Sequence, residues 1–424
     1  MGLKQIKNLK CVLCGKKYHP DEVDYICPDH DNDGVLDVQY DYEYIGSRFK
    51  KSSLASSQEM SIWRYKPLLP VGIDSRVPPL SVGWTPLYQA DRLAAELGIA
   101  KLWVKDDGRQ PTASFKDRAS AIAIVKAEEK GADIITTAST GNAAAALSGL
   151  CASLNKPNVI FVPESAPQAK ITQLLVFGSK VILVKGSYDD AYDLCMVAAQ
   201  KYGWYNRNTG YNPYMTEGKK TVAFEICEQL NWNSPDRVFV SVGDGCIIGG
   251  VHKGFKDLMA LGWIDKIPKI MGVQAEGSSY LYQAWKGNEN VLTKPAIDAA
   301  TIADSISAGL PRDRIKAMNA VKQTNGAFVC VSDKEILAAL IKLARGSGVF
   351  GEPAGAAAYA GLIKSLNTDL VGRDETIVVI NTGNGLKDIN SALKATKTVG
   401  SEPVVVEPRP EALDKAIRKL VPVQ

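Results

Sequence analysis

The chain has 424 residues, of which 46% are hydrophobic and 23% are charged, and its formal net charge is +4. This composition is typical of a globular protein with two or more domains, and the small, scattered charge argues against nucleic-acid binding. No apolar run reaches the roughly 18 residues of a membrane span, and the N-terminus lacks a signal-peptide core, so we expect a cytoplasmic protein.

Residues 1–46 form the first predicted unit, and they contain a cluster of metal-binding residue types. Cys11 and Cys14 form a C-x-x-C pair, and Cys27 and His30 follow with the same spacing. This spacing is typical of the two knuckles of a zinc ribbon, in which four ligands surround one tetrahedral ion. The sequence therefore predicts a zinc-ribbon-like module with a structural metal. A metal-free remnant and a surface for a second subunit are the alternatives.

Residues 47–80 carry four prolines and are predicted to be a linker that wraps onto the main body. Beyond them, strand patterns alternate with helical patterns to about residue 395, and a short last helix is expected at 411–420. This alternation predicts an α/β fold with parallel sheets covered by helices on both faces. The predicted strands are 101–105, 133–138, 158–162, 180–184, 237–242, 268–275, 327–331 and 376–380.

Lys116 lies in the segment P-T-A-S-F-K-D-R, between the first of these strands and a predicted helix. Desolvation and the positive end of a helix both disfavour an ammonium group, so the pKa of this lysine should fall and its amine should be nucleophilic. Such an amine can hold an aldehyde cofactor as a Schiff base. Most lysines are solvated surface charges, so the interpretation depends on the rest of the chain.

Three further turns of small residues each follow a predicted strand and open a predicted helix. They are S-T-G-N at 139–142, G-D-G-C-I-I-G-G at 243–250 and N-T-G-N-G-L-K-D at 381–388. Backbone N–H groups at such helix starts bind anions, including phosphate groups. One such turn has an ordinary structural explanation, but three together with the lysine turn indicate a phosphorylated cofactor.

These motifs resemble those of the threonine synthase family, which are fold-type II pyridoxal-phosphate enzymes related to tryptophan synthase β. S-F-K-D-R is similar to the family's cofactor-lysine motif, and E-G-K-K-T at 217–221 is similar to its E-G-Q-K-T helix start. The resemblance covers about residues 84–388 and implies a homodimer with two doubly wound sheet domains. It implies a small mobile domain at 117–208 and a large pyridoxal-phosphate domain from 81–116 and 209–424.

The resemblance also implies roles for individual residues. Lys116 would bind pyridoxal 5′-phosphate and then move protons, Asn142 would bind the cofactor's 3′ oxygen, and Thr382 would face its pyridine nitrogen. Because a hydroxyl supplies no charge to that nitrogen, elimination and replacement chemistry is favoured over transamination. The remaining cofactor contacts are expected from Phe115, Gly243, Asp244, Gly245, Cys246 and Ile247. The substrate contacts are expected from Ser114, Ser139, Thr140, Gly141 and Asn142.

The chain departs from the family where threonine synthases hold the leaving phosphate, since Ala143 and Met215 replace a threonine and an arginine. Arg207, Lys219 or Lys220 could supply the lost charge, and exposure to solvent is the alternative for each.

The leading prediction is a lyase that converts O-phosphohomoserine and water to threonine and phosphate. The alternative is β-elimination or β-replacement on an unphosphorylated amino acid such as serine, threonine or 2,3-diaminopropionate. Because Ala143 and Met215 offer no hydroxyl and no charge at these positions, we also expect phosphohomoserine to be a poor substrate despite the family resemblance.

Overall fold

The computed structural model describes residues 3–139, 141–166 and 168–420. The strands are β1 (Ile6–Cys11), β2 (Lys17–Tyr18), β3 (Leu36–Tyr40), β4 (Leu87–Gln89), β5 (Lys101–Asp106), β6 (Ile135–Ala138), β7 (Asn158–Pro163), β8 (Lys180–Val184), β9 (Tyr205–Asn206), β10 (Arg237–Ser241), β11 (Lys269–Ala275), β12 (Phe328–Val331) and β13 (Thr376–Asn381). The helices are α1 (Tyr42–Arg48), α2 (Asp91–Leu97), α3 (Lys116–Glu129), α4 (Asn142–Ser153), α5 (Gln168–Val176), α6 (Tyr188–Tyr202), α7 (Tyr214–Lys219), α8 (Thr221–Gln229), α9 (Cys246–Ala260), α10 (Tyr280–Lys286), α11 (Arg314–Gln323), α12 (Asp333–Ser347), α13 (Pro353–Asn367), α14 (Ile389–Thr398) and α15 (Pro410–Leu420).

The largest sheet has six strands in the order β12-β11-β10-β13-β5-β4. All neighbouring pairs are parallel except β4 with β5, which is antiparallel and closes one edge. The central strand β10 is buried along its whole length. Its continuous apolar sequence is typical of a parallel strand that helices cover on both faces.

A second sheet has four parallel strands in the order β8-β7-β6-β9. β6 and β7 are buried throughout, whereas the edge strand β8 is more exposed. The strands of this sheet lie within residues 135–206, inside the range predicted for the small domain. The exact domain boundaries stay a prediction.

The eight strands predicted from the sequence are all present, with bounds that differ by at most two residues. The α/β class with largely parallel sheets is therefore confirmed. The short strands β4 and β9 were not predicted, because three and two residues carry no readable period and their pairing depends on distant neighbours. The helix after the lysine turn begins at Lys116, so the lysine occupies its first helical position.

Residues 6–40 form a small antiparallel sheet in the order β2-β1-β3. The segment after it packs against the main body through buried apolar residues, including Ile62, Tyr65 and Leu68. None of the described helices is long and apolar enough to cross a membrane.

Candidate active site

The carboxyl ends of parallel strands from both large sheets surround a cavity of about 560 Å³. In open parallel sheets this is the edge at which ligands bind. Ser114 and Phe115 are buried but do not line the cavity, and Thr140 lies outside the described residues. The other residues predicted for cofactor and substrate all line it: Lys116, Ser139, Gly141, Asn142, Gly243, Asp244, Gly245, Cys246, Ile247 and Thr382.

The lysine turn is held against the C-terminal motif by backbone hydrogen bonds. The N–H of Phe115 donates to the carbonyl of Thr382 at 2.9 Å, and the N–H of Asn384 donates to the carbonyl of Ala113 at 3.0 Å. Ala113 has a φ of +64°, which is unusual for a residue with a Cβ atom. Burial lowers the pKa of Lys116, and the carboxylate of Glu352 partly opposes this shift. The turn therefore presents a lysine with a weakened preference for its charged form.

The glycine turn before α9 leaves little room for side chains. A Cβ atom at Gly243 would lie 2.8 Å from the Cα atom of Ile306, and Gly245 has a φ of +90°. The first N–H groups of α9, which begins at Cys246, have no partner within the helix. Two glycines without room for a Cβ atom, next to unpaired N–H donors at a helix N-terminus, fit a phosphate group. Asp244 Oδ1 lies 3.4 Å from the backbone nitrogen of Arg312, so a backbone N–H faces this carboxylate.

The amide of Asn142 at the start of α4 is bound to residues far away in the sequence. Its Nδ2 donates to Glu352 Oε1 at 2.7 Å and to Ser305 Oγ at 3.1 Å. Glu352 is buried, which raises its pKa, while Lys116 opposes that rise. Sequence reasoning missed Glu352. Its only signal was a glutamate directly before Pro353, the first residue of α13.

Two cationic side chains that could replace the family's phosphate-binding residues line the cavity. Arg207 donates from Nε to Ser120 Oγ at 3.1 Å and from Nη1 to Thr209 Oγ1 at 2.9 Å. Its Nη2 atom and the Nζ atom of Lys219 are buried and have no hydrogen-bond partner among the described residues. Burial lowers the pKa of Arg207 to about 10 and that of Lys219 to about 8. Neither side chain is therefore a solvated surface charge.

Lys220 and Met215, two further positions that the sequence analysis associated with the leaving phosphate, lie away from the cavity. Lys220 is buried in ion pairs of 2.6 Å with both Glu217 and Asp257. Met215 is 1% exposed and packs in the apolar core, and it is not part of the cavity lining. Ala143, in contrast, does line the cavity. The interpretation that Met215 contacts the substrate is therefore not supported by its position.

The predicted metal ligands come together beside the N-terminal sheet. The ligand atoms of Cys11, Cys14, Cys27 and His30 all lie within 4.8 Å of one another. Sulfur atoms bound to one zinc ion at 2.3 Å would be about 3.8 Å apart in a tetrahedron, and Sγ of Cys14 and Cys27 are 4.0 Å apart. His30 Nε2 is buried without a partner among the described residues. The donor set and its spacing therefore fit one tetrahedral metal ion.

Comparison with known proteins agrees with this geometry. The sequence profile of the family described as "Pyridoxal-phosphate dependent enzyme" matches residues 79–383. Threonine deaminase isoform 2 from Solanum lycopersicum has the same fold, with a TM-score of 0.65 and 24% identity over 83% of this chain and 90% of that chain. Diaminopropionate ammonia lyase from Escherichia coli has a TM-score of 0.64 and 20% identity over 81% and 94% of the two chains. The fold and the matched profile define a pyridoxal-phosphate-dependent enzyme.

A more specific relation comes from the whole chain. Threonine synthase of Methanocaldococcus jannaschii is 40% identical over 412 residues, which span 97% of this chain and 99% of that protein. The chain therefore belongs to the threonine synthase family of pyridoxal-phosphate-dependent lyases. The family resemblance noted from the motifs is confirmed.

Proposed function

We propose that this enzyme acts on an amino acid that carries an anionic leaving group, and that it converts O-phosphohomoserine and water to threonine and phosphate. The observation that carries the proposal is the pair of buried cations, Arg207 and Lys219. Both residues line the cavity that contains Lys116, and each has a nitrogen atom without a hydrogen-bond partner among the described residues. A second phosphate, besides that of the cofactor, would give both cations a partner.

The energetics favour an anionic ligand. A buried charge without a partner is strongly unfavourable, so proteins pair such a charge or bind an ion with it. The acids in charge contact with the two cations are Asp117 for Arg207 and Asp313 for Lys219. Asp117 accepts hydrogen bonds from Thr112, and Asp313 lies 4.0 Å from Lys316. In the described part of the chain neither acid bonds to Arg207 Nη2 or Lys219 Nζ, so both nitrogen atoms are available to a ligand.

The roles of the chain's own groups follow from their positions. Pyridoxal phosphate, when bound, supplies an electron sink that makes the substrate's α and β protons acidic. Lys116 would hold the cofactor through Nζ and then carry protons between substrate carbons, because its lowered pKa makes the free amine accessible. The N–H groups that follow Gly245 would bind the cofactor phosphate, and Ser139 and Gly141 would hold the substrate carboxylate. Arg207 would stabilise the departing phosphate.

A second candidate is elimination or replacement on an uncharged amino acid such as serine, threonine or 2,3-diaminopropionate. Ala143 favours it, because this cavity residue offers no hydroxyl to a phosphate. Met215 does not support this second candidate, since its side chain lies in the apolar core. Turnover of O-phosphohomoserine measured beside these unphosphorylated amino acids decides between the two functions.

A pair of matched variants sharpens this test. Lys219→Gln restores the glutamine of the family motif and removes the buried charge, whereas Lys256→Gln removes an exposed charge from α9. Lys219→Gln should raise the KM for O-phosphohomoserine about tenfold, which corresponds to one charge-assisted hydrogen bond, and Lys256→Gln should not. Efficient turnover of only unphosphorylated substrates would overturn the proposal.

We also propose that Cys11, Cys14, Cys27 and His30 hold one structural zinc ion. The convergence of four donor atoms and the unpartnered His30 nitrogen support this. Four protein ligands complete a tetrahedral site and leave no open position for catalysis. Metal analysis of the purified protein tests the proposal.

The mobile small domain at 117–208 is a further part of the proposal. Two ion pairs join the predicted domains beside the cavity, Lys170 with Asp304 at 2.5 Å and Asp189 with Arg312 at 3.2 Å. Pairs of this kind can form and break as a cleft closes over a substrate. Small-angle scattering with and without a substrate analogue tests for such a closure.

The family relation further supports a cytoplasmic homodimer. Sedimentation of the purified enzyme tests the assembly, and fractionation of its source cells tests the location.

A further inference from the structure

The edge strand β9 leads directly into the cavity, and its free edge faces the N-terminal module, residues 3–46. The N–H groups of Tyr205 and Arg207 donate to carbonyls of the neighbouring strand region, Ile134 and Thr136, both at 2.9 Å. In a strand, alternate N–H groups point to opposite sides, so the N–H of Asn206 points away from the sheet. An N–H group at such a position in an edge strand normally points into water.

A side chain of the N-terminal module occupies that edge. The N–H of Asn206 donates to the hydroxyl oxygen of Tyr25 at 3.0 Å. The Tyr25 ring also packs edge-on against Tyr205, with ring centroids 5.8 Å apart, and against Tyr211 at 5.1 Å. The Tyr25 hydroxyl thus accepts the hydrogen bond that a further strand would accept, and the Tyr25 ring packs against β9.

Asn206 in turn shapes the segment that lines the cavity. Its Oδ1 atom accepts a hydrogen bond from the N–H of Asn208 at 2.8 Å, and its carbonyl accepts one from Asn212 Nδ2 at 2.7 Å. Arg207 lies between Asn206 and Asn208, and Arg207, Asn208 and Thr209 all line the cavity. A shift of Asn206 would therefore displace the backbone that carries Arg207, whose guanidinium is held separately by Ser120 and Thr209.

The module is anchored independently on the other side of the cavity. Lys316 Nζ donates to the carbonyl of Leu36 at 3.0 Å, and Arg314 pairs with Asp33 at 2.7 Å. The loop before these two residues of α11 also lines the cavity. The module therefore spans from the four-stranded sheet to the six-stranded one and holds Tyr25 in a fixed place relative to both.

We propose that Tyr25 is a positioning residue for the substrate-anion site, and that the N-terminal module acts on the reaction by holding Arg207 in place through Asn206. The inference rests on the proposed function in one respect, namely that Arg207 binds the anionic part of the substrate. The N-terminal module would thus contribute to substrate binding, although its proposed metal ligands lie outside the cavity.

The test compares Tyr25→Phe with Tyr42→Phe in the holoenzyme, with inorganic phosphate as the probe of the anion site. Tyr42 is the matched control, since its hydroxyl also joins the module to the main body, by a 2.7 Å bond to Asp257, but it lies away from the cavity segment. Tyr25→Phe should weaken phosphate binding and raise the substrate KM about fivefold, the effect of one ordinary hydrogen bond, with the cofactor absorption unchanged. Tyr42→Phe should leave all three quantities as they are.

Hydrogen exchange supplies a readout that does not depend on turnover. The amide of Asn206 should exchange faster in Tyr25→Phe than in the wild type and in Tyr42→Phe. Equal phosphate affinity in the wild type and Tyr25→Phe would overturn this inference and leave the proposed function intact. If the wild-type holoenzyme bound no phosphate at all, the proposed function would fail and this inference with it.

Discussion

Asn142 Nδ2 and Glu352 Oε1 are joined by a 2.7 Å hydrogen bond that connects the first turn of α4 to the N-terminus of α13. The two residues are 210 positions apart in the chain. The bond fixes which way the amide of Asn142 faces. The carboxylate of Glu352 is buried and lies close enough to Lys116 to interact with its charge. The carboxylate raises the pKa of Lys116, whereas burial lowers it. Glu352 therefore links the orientation of one site residue to the protonation of another.

Glu352→Gln should lower the pKa of Lys116, because it removes the negative charge that favours the ammonium form. The measurement is the rate at which cofactor-free enzyme binds pyridoxal phosphate as a function of pH, since only the neutral amine reacts. The rising limb of this profile should move to lower pH in Glu352→Gln. Glu352→Asp keeps the charge and is the control. An unmoved limb in Glu352→Gln would show that the carboxylate does not act on Lys116.

Lys116→Ala should abolish the covalent attachment of the cofactor and lower turnover by about 10³-fold or more, because one group serves as anchor and as proton carrier. Borohydride reduction of the wild-type holoenzyme followed by peptide mapping should place the cofactor on Lys116. A label on Lys219, the other lysine of the cavity, would show that the assignment of the two lysines is reversed.

Phosphate binding should weaken as the pH rises through about 8, because Lys219 then loses its charge in the free cavity. If binding requires the charged amine, the Kd for inorganic phosphate should rise about tenfold for each pH unit above that value. Lys219→Arg keeps its charge in this range and should show a flatter profile. The same pH dependence in both proteins would assign the titration to another group.

Lys219→Met should stabilise the fold while it impairs substrate binding. The pKa of Lys219 in the folded protein, about 8, is below its ordinary value, so protonated Lys219 opposes folding at pH 7, and this effect fades as the pH rises towards the ordinary value. The free energy of unfolding at pH 7 should therefore rise by about 1–3 kcal/mol. Denaturant titration measures it, and a destabilised Lys219→Met variant would contradict the expected cost of this buried charge.

Zinc removal should lower the melting temperature and leave the absorption of the bound cofactor in place, because the four proposed metal ligands lie outside the cavity. About one zinc ion per chain is expected before chelation. The control is a chelator added to Cys27→Ser, which should already contain less metal and should respond less. A loss of cofactor absorption in protein that is still folded would indicate that the metal belongs to the active site.

Local sequence was sufficient to predict much of this protein. The strand–turn–helix motifs around Lys116, Gly245 and Thr382 depend on short-range backbone preferences and on apolar runs, so the parallel α/β fold and part of the cavity lining could be predicted without tertiary information. The spacing of the N-terminal cysteines likewise predicted that Cys11 and Cys27 would converge.

Tertiary structure alone decided which charges line the cavity. Lys219 and Lys220 are adjacent in the sequence, yet Lys219 faces the cavity while Lys220 pairs with Asp257, 37 residues away. Their directions depend on where α9 packs against α7, and no local pattern contains that information. The same holds for Glu352, which reaches Asn142 only because two distant helices begin at one cavity. Side-chain direction and long-range partners follow from packing, whereas backbone turns follow from neighbouring residues.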